Sequence, residues 1–181
     1  LSSNQKLYEQ ARQEEGALRA LLARLRRAAE SRLSGSDKHD FLKARLGQVK
    51  ALQRNQRLAA DTVFQYNNRP GSQAPGKSLV EAYQSESAPI GDVVVDLHDL
   101  HVSEAIDKAI GVLELGRRKN WSVVTFITGA GNRSAGGIPK IKNELITELG
   151  NILQEDPPLI NEFQEDPYNA GRVRVELVRS S

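Results

Sequence analysis

Two short stretches of the chain collect side chains that can move protons or hold phosphate. The first is Asp96-Leu97-His98-Asp99-Leu100-His101, and the second is Thr128-Gly129-Ala130-Gly131-Asn132-Arg133-Ser134-Ala135-Gly136-Gly137. In extended backbone alternate residues share a face, so Asp96 and His98 point the same way with Leu97 buried behind them. Histidine titrates near neutrality, and a carboxylate beside it orients the ring or raises its basicity, which makes the two an acid/base unit. The plainer alternative makes Asp96 a cap for the following helix and His98 a half-buried structural histidine, and a lone Asp-x-His does not separate the two. His101 reads as a surface residue where that helix starts.

Spacing removes the familiar nucleotide motifs from the glycine-rich stretch. A Walker pattern begun at Gly131 reaches Gly136 but then meets Gly137 and Ile138 where Lys and Ser/Thr are required, and a dinucleotide fingerprint begun at Gly129 meets Ser134 where glycine is required. What remains is a glycine loop leading into a helix. Its backbone N–H groups with Asn132, Arg133 and Ser134 either hold a phosphate or form a plain strand-to-helix turn.

Cysteine is absent, which excludes disulfides, thiolate zinc sites and cysteine nucleophiles and leaves three histidines (His39, His98, His101) and the carboxylates as metal donors. No certain cofactor follows; Mg²⁺ assisted by a carboxylate stays open.

The elements that must position these loops can be read from periodicity. Val93-Val94-Val95 is a β-branched run of the buried-strand type, and Ala105, Ile106, Ala109, Ile110 and Leu113 then recur at helical spacing until Gly116. Trp121 to Ile127 reads as a second strand. Ile138, Ile141, Leu145 and Leu149 mark a second helix, stopping at Gly150, with Pro139 in its first turn. A Pro-rich acidic loop carrying Glu155, Asp156, Glu162, Glu165 and Asp166 follows, and Val173, Val175 and Leu177 then alternate with charged residues as a half-exposed strand. The order β-α-β-α followed by one or two strands favours right-handed crossovers, a mostly parallel sheet, and a site at the C-terminal ends of its strands, where both loops fall.

Ahead of this α/β region lie two amphipathic helical patterns, Tyr8 to Leu25 and one from about Asp37 to Asn67-Asn68, separated by Ser34-Gly35-Ser36-Asp37. They predict an antiparallel helical hairpin over 1–68. Residues 69–90 are rich in Pro, Gly and Ser and read as a linker, with a short helix over Leu79 to Tyr83 at most. The α/β domain then occupies 91–181.

The chain of 181 residues carries 39% hydrophobic and 27% charged residues, as expected of one medium or two small globular domains. Its formal charge of +2 hides an asymmetry: residues 1–68 are net +6 and residues 69–181 net −4. The basic front can attract polyanions, although most basic helix faces are merely solvated. No apolar run approaches the roughly 18 residues of a membrane span and the first residues do not resemble a signal peptide, so the expectation is a soluble, cytoplasmic protein without a membrane partner. Methionine is missing even at position 1, which suggests a piece of a longer chain.

The two loops together resemble the signature of the small MutS-related (Smr) domains: Asp-Leu-His-x-Leu-x-Val-x-Glu-Ala, here Asp96 to Ala105, and Thr-Gly-x-Gly-x-His-Ser-x-Gly-Gly, here Thr128 to Gly137. The resemblance covers about residues 91–179, including the turn Asn169-Ala170-Gly171. More weakly, Ala59-Ala60-x-x-Val63-Phe64-x-x-Asn67-Asn68 is similar to the helical domain often placed before Smr in eukaryotic proteins. Membership implies a two-layer α/β fold and a nucleic-acid-directed activity. Many Smr domains are endonucleases, several acting on messenger RNA at stalled or collided ribosomes, others implicated in DNA nicking, and some have no demonstrated cleavage. The proposed active groups carry over to Asp96 and His98, and the glycine loop to Gly129, Gly131, Ser134, Gly136 and Gly137. The loop histidine of the family is replaced here by Arg133, which cannot shuttle protons at neutral pH but can bind a phosphate bidentately.

The resulting expectation is an endoribonuclease in which His98, oriented by Asp96, takes a proton from a 2′-hydroxyl or a water. Arg133 and the loop N–H groups would stabilise the scissile phosphate. Arg117-Arg118-Lys119, Lys140, Lys142, Arg172 and Arg174 would guide the backbone, with the acidic stretch 155–166 on another side of the domain. The rival expectation is a non-catalytic adaptor that binds RNA or ribosomes, with the helical hairpin docking a protein partner.

Overall fold

The computed structural model describes residues 35–72, 76–85, 91–131 and 137–179, together with scattered helical positions between 6 and 27. Its contacts divide into two compact units, Leu1–Val63 and Phe64–Ser181.

In the first unit the described backbone is helical, and helix α1 runs Gly35–Asn67, crossing into the second unit in its last turn. The stripe Val49, Gln56, Ala60 and Val63 is buried, whereas Leu46, which the periodicity places on the apolar face, is exposed. The packing of an antiparallel hairpin falls outside the described residues.

The second unit is a mixed α/β fold. Its elements are β1 (Lys77–Ser78), α2 (Leu79–Gln84), β2 (Val93–Asp96), α3 (Val102–Arg118), β3 (Val123–Ile127), α4 (Lys140–Ile152), β4 (Ile160–Glu165) and β5 (Arg172–Leu177). The five strands form one sheet in the order β1-β2-β3-β5-β4. β1, β2 and β3 pair in parallel, while β5 is antiparallel to both β3 and β4, so four of the five strands share one direction.

Register sorts the sheet into two faces, because successive side chains alternate. Val93 and Val95 line up with Val124 and Phe126, and these with Val175 and Val173; all six are fully buried. Helices α3 and α4 lie against each other, and α3 also touches β3 and β5. Their apolar stripes, Ala105, Ala109, Val112 and Leu113 on α3 and Leu145, Leu149 and Ile152 on α4, are buried. Both helices continue past the expected glycine stops, to Arg118 and Ile152. The opposite face carries Val94, Asp96, Thr125, Ile127, Arg172 and Arg174, four of them polar, and of these Arg172 and Arg174 stay partly accessible.

Two stretches depart from the composition-based reading. Within 69–90, Lys77–Ser78 pairs with Val93 and Val94 and extends the sheet. Ser78 then caps α2: its hydroxyl accepts the Glu81 amide at 3.4 Å and the Glu81 carboxylate accepts the Ser78 amide at 2.8 Å, a reciprocal capping box that composition alone does not reveal. Within the acidic stretch, Ile160–Glu165 forms an edge strand, anchored by fully buried Ile160 and otherwise largely exposed, as edge strands protected by charge usually are.

Candidate functional site

β2 ends at Asp96, and the ladder to β3 runs one residue further, where the Leu97 amide donates to the Ile127 carbonyl at 2.8 Å. Leu97 is completely buried, pinning the chain so that Asp96 and His98 emerge on one side. There they meet. His98 Nδ1 lies 2.5 Å from Asp96 Oδ1, and the same oxygen accepts the His98 amide at 2.9 Å. Asp99 follows in the left-handed region, φ 66°, which aspartate tolerates better than most residues. The turn places its Oδ2 3.1 Å from His98 Nε2. An imidazolium donates to both carboxylates, a neutral ring to only one. The Asp96 carboxyl is nearly enclosed, while the His98 side chain is 42% exposed, so the ring faces solvent from a rigid base.

The end of α1 contributes a support that motif reading missed. Asn68, 1% exposed, accepts the Asp96 amide at 2.7 Å and donates to the Asp96 carbonyl at 2.9 Å, and also donates to the Phe64 carbonyl at 2.9 Å. Asn67 donates to the His98 carbonyl at 3.0 Å. β1 pairs only with Val93 and Val94, so beyond its end the Asn68 amide takes the place of a strand neighbour and satisfies backbone groups that would otherwise be buried unpaired. The adjacent Asn67-Asn68 was visible in the sequence as a helix end; its long-range partner was not.

The stem of the glycine loop lies beside the histidine. A methyl group on Gly129 would stand 3.9 Å from His98 Cβ. Gly131, φ +79°, backs onto Pro139 N at 2.7 Å and Ile138 C at 2.8 Å from where a Cβ would be, so the loop base is pinched closed and no other residue fits there. A third turn joins it: Thr128 donates through N and Oγ1 to the Gly171 carbonyl, at 2.8 and 3.1 Å. A methyl on Gly171 would come within 3.1 Å of the Gly129 and Ala130 backbone. The structure thus brings Asp96, His98, Gly129, Gly131 and Gly137 to one end of the sheet. Asn132, Arg133, Ser134 and Gly136 lie outside the described residues.

The guiding cations divide. Lys140 is exposed at the start of α4. Lys142 pairs with Glu165 at 2.6 Å, and Lys119 donates to the Tyr83 carbonyl at 3.3 Å. Arg174 is held by Glu176 at 2.6 Å and Asp92 at 3.6 Å; the Glu176 hydrogen bond raises its guanidinium pKa further, against a smaller opposing effect of burial. Arg172 is aligned with Ile127, and Ile127 with Asp96, so Arg172 stands on the open face in the row of the site. The expectation that the acidic stretch keeps away from these arginines is overturned. β4 pairs directly with β5, and Glu165 and Asp166 border the same cavity as Arg172 and Arg174. Among the described residues no group of three or more His, Cys, Asp or Glu is arranged to hold a metal, and no helix is long and apolar enough to cross a membrane.

No family model matches the chain, and no curated protein matches it. Among solved structures it is similar to the solution structure of the B3BP Smr domain, at 28% identity over 67% of this chain and 94% of that chain, with a TM-score of 0.42.

Proposed function

We propose that the chain is an Smr-type nuclease module that cleaves phosphodiester bonds in RNA, on messenger RNA in the cytoplasm. The observation that supports this most is the Asp96–His98 pair, a carboxylate-oriented imidazole presented to solvent beside a backbone loop whose stem is locked by Gly131. Asp96 fixes the ring through Nδ1, which leaves Nε2 as the nitrogen that works on substrate once it exchanges Asp99 for a 2′-hydroxyl or water. The loop, with Arg133 as its cation, is assigned to the scissile phosphate, where N–H donors and a guanidinium stabilise developing charge. Asn132, Ser134, Gly136, Lys140, Arg172 and Arg174 are assigned to the backbone on either side. The described residues do not make a dedicated cage for a divalent ion, and no step of the proposed reaction runs through Mg²⁺.

One observation favours the adaptor reading. Both ring nitrogens of His98 face carboxylates, and a histidine kept in that state serves structure as well as catalysis. RNA cleavage by the wild type, by Asp96→Ala and by His98→Ala, each with and without a chelator, separates the two. Cutting by the wild type alone supports the nuclease; equal cutting by all three assigns the activity to contamination and leaves an RNA- or ribosome-binding adaptor, with the basic helices available to a protein partner.

A further inference from the structure

The open face of the sheet holds a cavity of about 690 Å³ whose wall includes Asp92, Thr125, Gln164, Asp166, Arg172 and Arg174. That volume lies in the range of small-molecule sites and exceeds what a bound anion alone fills. The acidic side chains around it are engaged. Asp92 accepts from Thr125 at 2.9 Å and faces Arg174, Glu165 is paired with Lys142, and Asp166 accepts the amides of Tyr168 and Asn169 at 2.8 and 3.2 Å. Arg172 is different: it is half-buried on the cavity wall, and its Nε has no hydrogen-bond partner among the described residues. A guanidinium carries only donors, so the ligand group Arg172 suits on this wall is an acceptor such as a phosphate or base oxygen.

The turn between β4 and β5 forms one rim. Two successive tight turns, closed by Asn169 N to Asp166 O at 3.3 Å and Arg172 N to Asn169 O at 2.9 Å, hold it, and Asn169 Oδ1 accepts the Gly171 amide at 3.1 Å. At its tip Tyr168 is 98% exposed, the most exposed of the large apolar side chains among the described residues. An aromatic ring held out on a turn this well braced suits stacking on an unpaired base. The same turn rests on Gly129 through Gly171, so the cavity and the Asp96–His98 site share it. Two strand spacings, about 10 Å, separate Asp96 from Arg172 along their row.

We infer that this cavity is a nucleotide subsite: it takes an unpaired nucleotide neighbouring the reacting phosphate, with Arg172 donating to an acceptor and Tyr168 stacking on a base. The inference rests on the nuclease reading for its substrate and makes that substrate single-stranded. Engaged acidic groups line the site, so a bare anion is a poorer ligand than a nucleotide whose base adds stacking and hydrogen bonds.

The test is a titration of the full isotope-labelled chain with uridine 5′-monophosphate, and separately with inorganic phosphate, followed by amide chemical shifts. The nucleotide is expected to shift Thr125, Gln164, Arg172 and Arg174 at concentrations where phosphate does not. Tyr168→Ala should weaken binding of an unpaired RNA decamer about tenfold while Tyr168→Phe binds as the wild type, and Arg172→Gln should weaken the nucleotide. Shifts confined to other residues, equal shifts with phosphate, or wild-type RNA affinity in Tyr168→Ala overturn the subsite. Tyr168 is exposed, so its variants fold whatever becomes of Arg172→Gln. Because binding is read without cleavage, a nucleotide bound by a chain that cuts nothing refutes the nuclease alone, and cleavage that depends on His98 without these shifts refutes the subsite alone.

Discussion

Asn68 closes two hydrogen bonds on a single residue of the site, accepting the Asp96 amide at 2.7 Å and returning one to its carbonyl at 2.9 Å. A side-chain amide has the donor and acceptor of a peptide unit, and here it completes the edge of β2 where β1 has ended. Asn67 and Asn68, at the end of α1, are therefore part of what holds the Asp96-x-His98 segment straight, and a chain begun at 91 lacks that support.

Asn68→Ala is expected to lower unfolding stability by about 1–3 kcal/mol, because it leaves the Asp96 amide and carbonyl buried without partners. Asn68→Asp should cost more, since a carboxylate cannot donate to the carbonyl and adds a buried charge. Urea titration monitored by the fluorescence of Trp121, a residue buried in the same unit, measures both.

The two carboxylates beside His98 should behave differently. Asp96 orients the ring, so Asp96→Ala should reduce kcat/KM for RNA cleavage by about 10²-fold or more. Asp99 occupies the nitrogen that substrate must reach, so Asp99→Ala should keep or raise kcat/KM. Steady-state kinetics on one RNA substrate decide this, and an equal loss in both variants would argue against the division of roles.

Gly131→Ala tests the pinched loop base. A methyl there meets backbone atoms at 2.7 to 2.9 Å in a left-handed conformation, so the loop must shift. RNA affinity is expected to drop while the buried sheet keeps its circular dichroism and most of its melting temperature, the strain being confined to one turn.

Glu81 supplies a pH dependence. Hydrogen bonds from the Ser78 hydroxyl and amide hold its carboxyl below the usual 4.5, opposed by partial desolvation. A depressed folded pKa means stability that is present above the unfolded value and lost as pH falls through the folded one. Melting temperature should therefore decline as pH drops below about 4.5, and Glu81→Gln should flatten part of that decline. The absence of any difference between the two proteins from about pH 3.5 to 5.5, on the order of one unit either side of that value, would remove Glu81 from the acid response.

The parts of this fold that period and residue type determine were legible in advance. Val93-Val94-Val95 and Val123–Ile127 are strands because runs this rich in β-branched residues have few alternatives, and Ala105, Ala109 and Leu113 with Leu145 and Leu149 specify which sides α3 and α4 bury. Ile138, counted with the second stripe, instead lies ahead of α4 and is half-exposed. Leu97 between Asp96 and His98 made their shared direction readable from alternation alone. What escaped was set by partners distant in sequence. Lys77–Ser78 is too short to show a period and becomes a strand only by pairing with Val93 and Val94. β4 hides in an acidic stretch because an edge strand buries little, and Asn68 looks like any helix-ending asparagine until Asp96 is brought to it. Asp99 at the second ring nitrogen follows from a left-handed residue that no pattern announces.

Whether the imidazole of His98, set by Asp96, does chemistry on an RNA phosphodiester is read most directly by single-turnover cleavage of an unpaired, end-labelled RNA. Enzyme is in excess, and the wild type and His98→Ala are compared at matched RNA occupancy. The rate should fall by about 10²- to 10⁴-fold in the variant while bound RNA is unchanged; equal rates, or no cleavage by the wild type at full occupancy, would contradict a catalytic His98.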